Sequence, residues 1–136
     1  MGLVYTEITL KNAGDMDAVL RGHMREDEVR SVVVRALVDT GTGTLVINEE
    51  ICRKLGLVHG VLWESTLADG SKHLYKRMEP VSINCENRES TLRPVMVQDA
   101  DEVLLGCIPL EDMDLIVDPK NERLIGRHGD TPVTRV

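Results

Sequence analysis

Polar and apolar residues alternate from Val4 through Tyr5, Thr6, Glu7, Ile8 and Thr9 to Leu10, the period of a half-buried strand, and Asn12-Ala13-Gly14-Asp15 supplies turn chemistry to stop it. The stretch Met16 to Leu20 is compatible with another strand, and the charged cluster His23 to Glu28 reads as a solvated loop. Val32-Val33-Val34-Arg35-Ala36-Leu37-Val38 is a long apolar run that is costly to leave in water, so a core strand is expected there. It closes on Asp39-Thr40-Gly41, after which Leu45-Val46-Ile47 forms a further short strand. Asn48 is a good helix cap, Glu49 and Glu50 suit the positive end of a helix dipole, Ile51 and Leu55 share one face, and Gly56 is placed to end the turn.

Downstream, residues Glu64 to Tyr75 read as a hairpin with Asp69-Gly70 at its tip. Both arms are largely polar, so the hairpin buries little and is expected to be mobile. Val81, Ile83 and Cys85 alternate, Glu86-Asn87-Arg88-Glu89 turns the chain, and Leu92 to Val97 returns. A second apolar run, Val103 to Ile108, leads to Pro109, which suits the first turn of a short helix reaching Met113. Leu115 to Val117 and Arg123 to Ile125 close as a hairpin around Asp118-Pro119-Lys120-Asn121. Many short strands with one or two short helices predict an all-β, barrel-like domain over residues 1–126, with 127–136 as a loose tail.

Length and composition sharpen this picture. The chain of 136 residues suits one domain, and 42% hydrophobic with 29% charged residues fits a globular protein. One Trp, two Tyr and no Phe leave the core to Val, Leu, Ile and Met, with Met78, Met96 and Met113 as core fillers. A net charge of −7 argues against nucleic acid or an anionic membrane as partner. No signal-peptide pattern and no membrane-length apolar stretch stand out, and Cys52, Cys85 and Cys107 are odd in number and far apart, so a cytoplasmic protein without disulfides is expected. Cys107 lacks a patterned His partner and is expected to be a buried thiol; the four His and three Cys show no ligand spacing, so neither a metal nor another cofactor is expected.

The candidate chemistry centres on Asp39. A carboxylate at the mouth of a buried strand is desolvated in part unless another group shares or neutralises its charge. Two carboxyls sharing one proton around a water meet that need, and the chain carries a single Asp-Thr-Gly. The second carboxyl then comes most simply from another copy of the chain. The plain alternatives are that Asp39 caps a strand end and that Thr40 makes a simple hydroxyl turn. Gly41-Thr42-Gly43 lacks the spacing and the Lys of a phosphate-binding loop.

Leu37-Val38-Asp39-Thr40-Gly41, Leu55-Gly56-Leu57, Leu104-Leu105-Gly106 and Asp114-Leu115-Ile116-Val117-Asp118 together resemble the retropepsin-like aspartic proteases, the half-length relatives of pepsin, and in particular bacterial single-domain members. The resemblance spans about residues 31–126. It implies an acid-protease fold with one lobe per chain and an aspartic endopeptidase acting as a homodimer on peptide or protein substrates. Within it, Asp39 and its copy would activate water, Thr40 would hydrogen-bond across to the other subunit's loop, and Gly41 would let the backbone approach the carboxylate. Leu104, Leu105 and Gly106 would brace that loop, and Ala68, Asp69 and Gly70 would form the tip of a flap over substrate. Viral members usually carry Ala after the Gly; Thr42 stands here, and its hydroxyl can donate to the ionised carboxylate, for which a more acidic optimum is expected. Gly43-Thr44 replaces the acidic residues often found just beyond. The rival expectation is a protein of the same fold that binds peptides or dimerises without cleaving. An ordinary surface hairpin is the alternative to the flap.

Overall fold

A computed structural model of the chain describes residues 2–66 and 68–134. Its strands are β1 (Tyr5–Asn12), β2 (Ser31–Val38), β3 (Leu45–Ile47), β4 (Val61–Thr66), β5 (Lys72–Arg77), β6 (Val81–Cys85), β7 (Arg88–Leu92), β8 (Val95–Met96), β9 (Val103–Leu105), β10 (Leu115–Asp118) and β11 (Arg123–Gly126). Three short helices, α1 (Ala13–Leu20), α2 (Glu49–Leu55) and α3 (Cys107–Asp112), and a 3-10 turn at Glu26–Glu28 complete the described elements. The fold is β-rich, as the sequence predicts. Nine strands form one sheet in the order β4-β5-β8-β3-β9-β2-β1-β6-β7, and β10 pairs with β11 apart from it. The sheet ends on β4 and β7 and does not close into a barrel. Among the described residues no helix is long and apolar enough to cross a membrane.

The central feature is β9, which runs parallel to β2 and antiparallel to β3. It therefore fills the gap between the two strands that the Asp39 loop connects. One core cluster takes in Ile8, Leu10, Ala36, Leu45, Ile47 and Leu55 with Val81, Ile83, Leu105 and Met113. Each Val, Leu, Ile or Met of this cluster, fully buried, contributes about 1.5–3 kcal/mol relative to exposure. Met78 and Met113 are buried, and Met96 packs against the cluster from a half-buried position.

Several expectations are corrected. Asn12 ends β1 and caps α1: its side-chain oxygen accepts from the Asp15 amide at 3.0 Å, so Met16–Leu20 is helical rather than strand. β2 is present, but its sides alternate; only Ala36 is buried and Val33 is 59% exposed. The turn after β6 consists of Glu86 and Asn87 alone, with Glu86 at φ 55°, and the returning strand is Arg88–Leu92. Arg88 is buried because three backbone carbonyls, those of Met113, Asp114 and Gly129, accept from its guanidinium. The last of these, at Gly129, reaches into the segment expected to be a loose tail. The Arg127 amide donates to the Asp114 carbonyl, and the Val133 amide donates to the Asp114 carboxylate at 3.1 Å. Helix α3 begins at Cys107, placing Pro109 in its first turn, where a missing N–H costs nothing.

Candidate active site

Asp39 sits directly beyond β2 on a loop that β9 and α3 grip from below. The Asp39 amide donates to the Leu105 carbonyl at 3.0 Å, and the Cys107 and Ile108 amides donate to the Thr42 and Gly43 carbonyls at 2.8 and 2.9 Å. Gly106 lies between these contacts. A Cβ there would strike the Thr42 and Thr44 carbonyl oxygens and come within 2.7 Å of the Thr44 amide nitrogen. Its φ is −90°, so the demand for glycine is one of space, not of backbone angle. Within the loop, the carboxylate is held by two short bonds. The Gly41 amide donates to Oδ1 at 3.0 Å, and the Thr42 hydroxyl donates to Oδ2 at 2.9 Å. A Cβ on Gly41 would lie 3.3 Å from Oδ1, a tight approach that glycine avoids. Asp39 stays half-buried, with Thr40 and Gly41 exposed beside it.

Strand alternation decides what lies next to this carboxylate. Leu37, two residues earlier, is on the same face as Asp39. Leu37 is paired with Leu104, Leu104 with Val46, Val46 with Val95, and Val95 with Arg77. Directly paired residues project to one side of a sheet, so these five form a row beside Asp39. The four apolar members of the row are only half-buried, whereas Leu105 and Leu45 on the opposite face are fully buried. Leu104 and Leu105 thus have different surroundings: Leu105 braces the loop from the core, and Leu104 lies on the open face with Asp39. The row continues through Leu37 to Tyr5, whose hydroxyl donates to Glu102 at 2.6 Å beneath the Arg35 guanidinium. The bond to Glu102, with burial and the Glu102 charge behind it, pushes the Tyr5 phenol up.

The β4–β5 hairpin projects from the edge of the sheet with Ala68, Asp69 and Gly70 at its tip, as the sequence predicts; Leu67 lies outside the described residues. Gly70 takes φ 85°, a left-handed turn that glycine tolerates. The Asp69 carboxylate accepts from the Ser71 hydroxyl and amide, bonds that hold its carboxyl below the usual range. Among the described residues no hydrogen bond joins this tip to the Asp39 loop. Strand alternation could have identified Leu37 as a site residue, but Val46, Val95 and Arg77 depend on pairing between distant strands and carry no local signal.

None of the thiols hydrogen-bonds Asp39 among the described residues. All three cysteines are free; Cys52 is pushed up to about 11 and Cys85 is raised, chiefly by burial. Cys107 is only half-buried, contrary to expectation, because it opens α3 against the Gly43 carbonyl rather than filling the core. Among the described residues no group of three or more His, Cys, Asp or Glu side chains is placed to hold a metal ion.

Neither a protein-family model nor a curated protein matches the chain. Two of the solved structures similar to it illustrate the likeness. One is EIAV protease in complex with an inhibitor, 25% identical, with a TM-score of 0.42 over 59% of this chain and 76% of that one. The other is a retropepsin-like aspartic protease from Rickettsia conorii, 18% identical, with a TM-score of 0.50 over 87% of this chain and 89% of that one. The chain has the retropepsin-like fold.

Proposed function

We propose that the chain is one half of an aspartic endopeptidase, in which two copies pair about a two-fold axis passing between their Asp39 side chains. The observation that carries this reading is the Asp39 carboxylate itself. It is gripped by Gly41 and Thr42 on a loop that β9 and Gly106 fix, yet it remains open on a face lined by half-buried apolar side chains.

Two carboxyls about 3 Å apart do not both ionise, so the pair shares a proton. The ionised member takes a proton from a water held between them as that water's oxygen attacks the peptide carbonyl carbon. The protonated member donates its proton to the carbonyl oxygen as that oxygen gains charge. Collapse of the tetrahedral species breaks the C–N bond, with a proton delivered to the leaving nitrogen. Neither a metal nor a covalent intermediate takes part. The Thr42 hydroxyl holds the Asp39 carboxylate in position, and Thr40 would bond across to the partner's loop. The β4–β5 hairpin would close over an extended substrate, which binds strand-like along the open face.

Incubation with an unfolded casein-like substrate across the acidic to neutral range tests this, with and without pepstatin and beside Asp39→Asn. Cleavage abolished by both treatments is the expected result. Cleavage that persists in Asp39→Asn refutes the assignment, and a dimer that binds peptides without cutting them supports the non-cleaving alternative.

A further inference from the structure

The half-buried row beside Asp39 ends on a cation. Arg77 is paired with Val95 on one side and with Val61 on the other, so it projects from the same face as Leu37 and Asp39. Its guanidinium carbon stands 4.6 Å from the centroid of the Trp63 ring. Trp63 and Tyr75 are paired next along the hairpin on that same face, so the stack belongs to the side turned toward the open row. Among the described residues no carboxylate lies within ion-pair distance of Arg77. The hairpin's other face differs: there Lys72 and Glu64 pair at 3.3 Å. A half-buried guanidinium lying over an aromatic ring has lost part of its rotamer freedom before any ligand arrives, and its planar fork suits a carboxylate.

We infer that Arg77, stacked on Trp63, is a specificity-determining residue that recognises an acidic side chain of an extended peptide bound along this face. The inference rests on the reading of this face as the substrate cleft. Arg77 lies four strand steps from β2. At about 4.8 Å per step and about 3.3 Å per residue of extended chain, the acidic side chain falls roughly four to six residues from the bond at Asp39. Charge complementarity selects the occupant: a peptide carrying Asp or Glu at that distance pairs with the Arg77 guanidinium at this end of the row, and its neutral counterpart leaves that guanidinium unmatched.

Two measurements test this separately from proteolysis. Digestion of a synthetic pool of extended peptides is expected to show Asp and Glu enriched at an outer position of the cleaved sequences. Matched Glu and Gln peptides should differ about fivefold in kcat/KM, mostly through KM, the ratio expected of one partly exposed ion pair. Arg77→Gln should erase that difference, and Arg77→Lys should keep part of it. Independently, the Asp39→Asn protein can be titrated with the same matched peptides while Trp63, the only tryptophan, reports binding by its emission. Tighter binding of the Glu peptide with a change in Trp63 emission, lost on adding Arg77→Gln, supports the inference even if no peptide is ever cut. Equal affinity of the Glu and Gln peptides for the unsubstituted Arg77 site overturns it, even if cleavage is efficient.

Discussion

Three aspartates illustrate two different uses of a carboxylate. Asp15 and Asp114 are 5% and 7% exposed, and each is surrounded by donors of its own chain. Asp15 accepts from the Arg30 amide, Nε and guanidinium NH2 at 2.9–3.0 Å. Asp114, at φ 55°, faces His128 at 2.9 Å, the Val133 amide and the Arg88 charge. Asp39 has two donors, both from its own turn, and an open side. A structural carboxylate is saturated internally, while Asp39 is held in position with part of its acceptor capacity facing outward. That difference separates groups that stabilise the fold from one available to a partner or a substrate.

The comparison is broken most directly by Asp39→Asn. Removing a group that moves protons typically costs about 10²–10⁴ in rate, and kcat/KM for casein cleavage is expected to fall by that much. Thermal unfolding should shift little, within about 0.5 kcal/mol of stability, because the side chain is only half-buried and Asn can keep accepting from Gly41 and Thr42. A large loss of stability would place Asp39 with the structural aspartates.

Gly106→Ala attacks the support instead of the carboxylate. The added methyl meets backbone at Thr42 and Thr44, which cannot swing aside, so stability is expected to fall by about 1–3 kcal/mol in chemical denaturation, with activity reduced in the folded fraction. Asp15→Asn sharpens the other side of the contrast. It removes the charge that Arg30 holds and is expected to cost about 1–3 kcal/mol at neutral pH without altering the chemistry at Asp39.

The pH dependence has a definite sign. Hydrogen bonds from Arg30, opposed by burial, hold the Asp15 carboxyl below the usual range. For Asp114, burial pushes upward, but the Val133 amide, His128 and the Arg88 charge outweigh it and keep that carboxyl low as well. Both contribute stability that is complete above the unfolded carboxyl value of about 4 and is lost as pH falls through their folded values. Urea midpoints should therefore drop below about pH 4, and Asp15→Asn should flatten part of that drop.

The smallest of these effects is expected for Thr42→Val. It deletes one hydroxyl donated to Asp39 at nearly constant volume, and a bond to a charged group of about 1.5 kcal/mol corresponds to roughly tenfold in kcat/KM. An unchanged kcat/KM would show that the hydroxyl does not act on Asp39.

Much of the Asp39 loop was legible because its determinants are local: an apolar strand, a turn of Thr and Gly, and a glycine at position 106 at the end of another apolar run. Helix α2 was legible for the same reason, from Asn48 to Gly56. Helix α1 is not, because Asn12, Gly14 and Asp15 also compose a turn; its one local sign is a capping Asn12 with an acidic residue three positions on. Strand β7 is not legible at its start, since Arg88 and Glu89 look like loop residues. Arg88 is buried by carbonyls as distant in sequence as Gly129, which no local pattern reveals. Arg77 joins the face of Asp39 only through the pairing of β5, β8, β3 and β9, again a non-local fact.

Mixing unsubstituted chains with Asp39→Asn chains at fixed total concentration, after re-equilibration of subunits, tests most directly whether the working site is shared between two copies. A site built from one Asp39 of each chain predicts activity falling with the square of the unsubstituted fraction, because mixed pairs hold a single competent carboxylate. Activity that falls in simple proportion to that fraction would show that one chain suffices and would contradict the account.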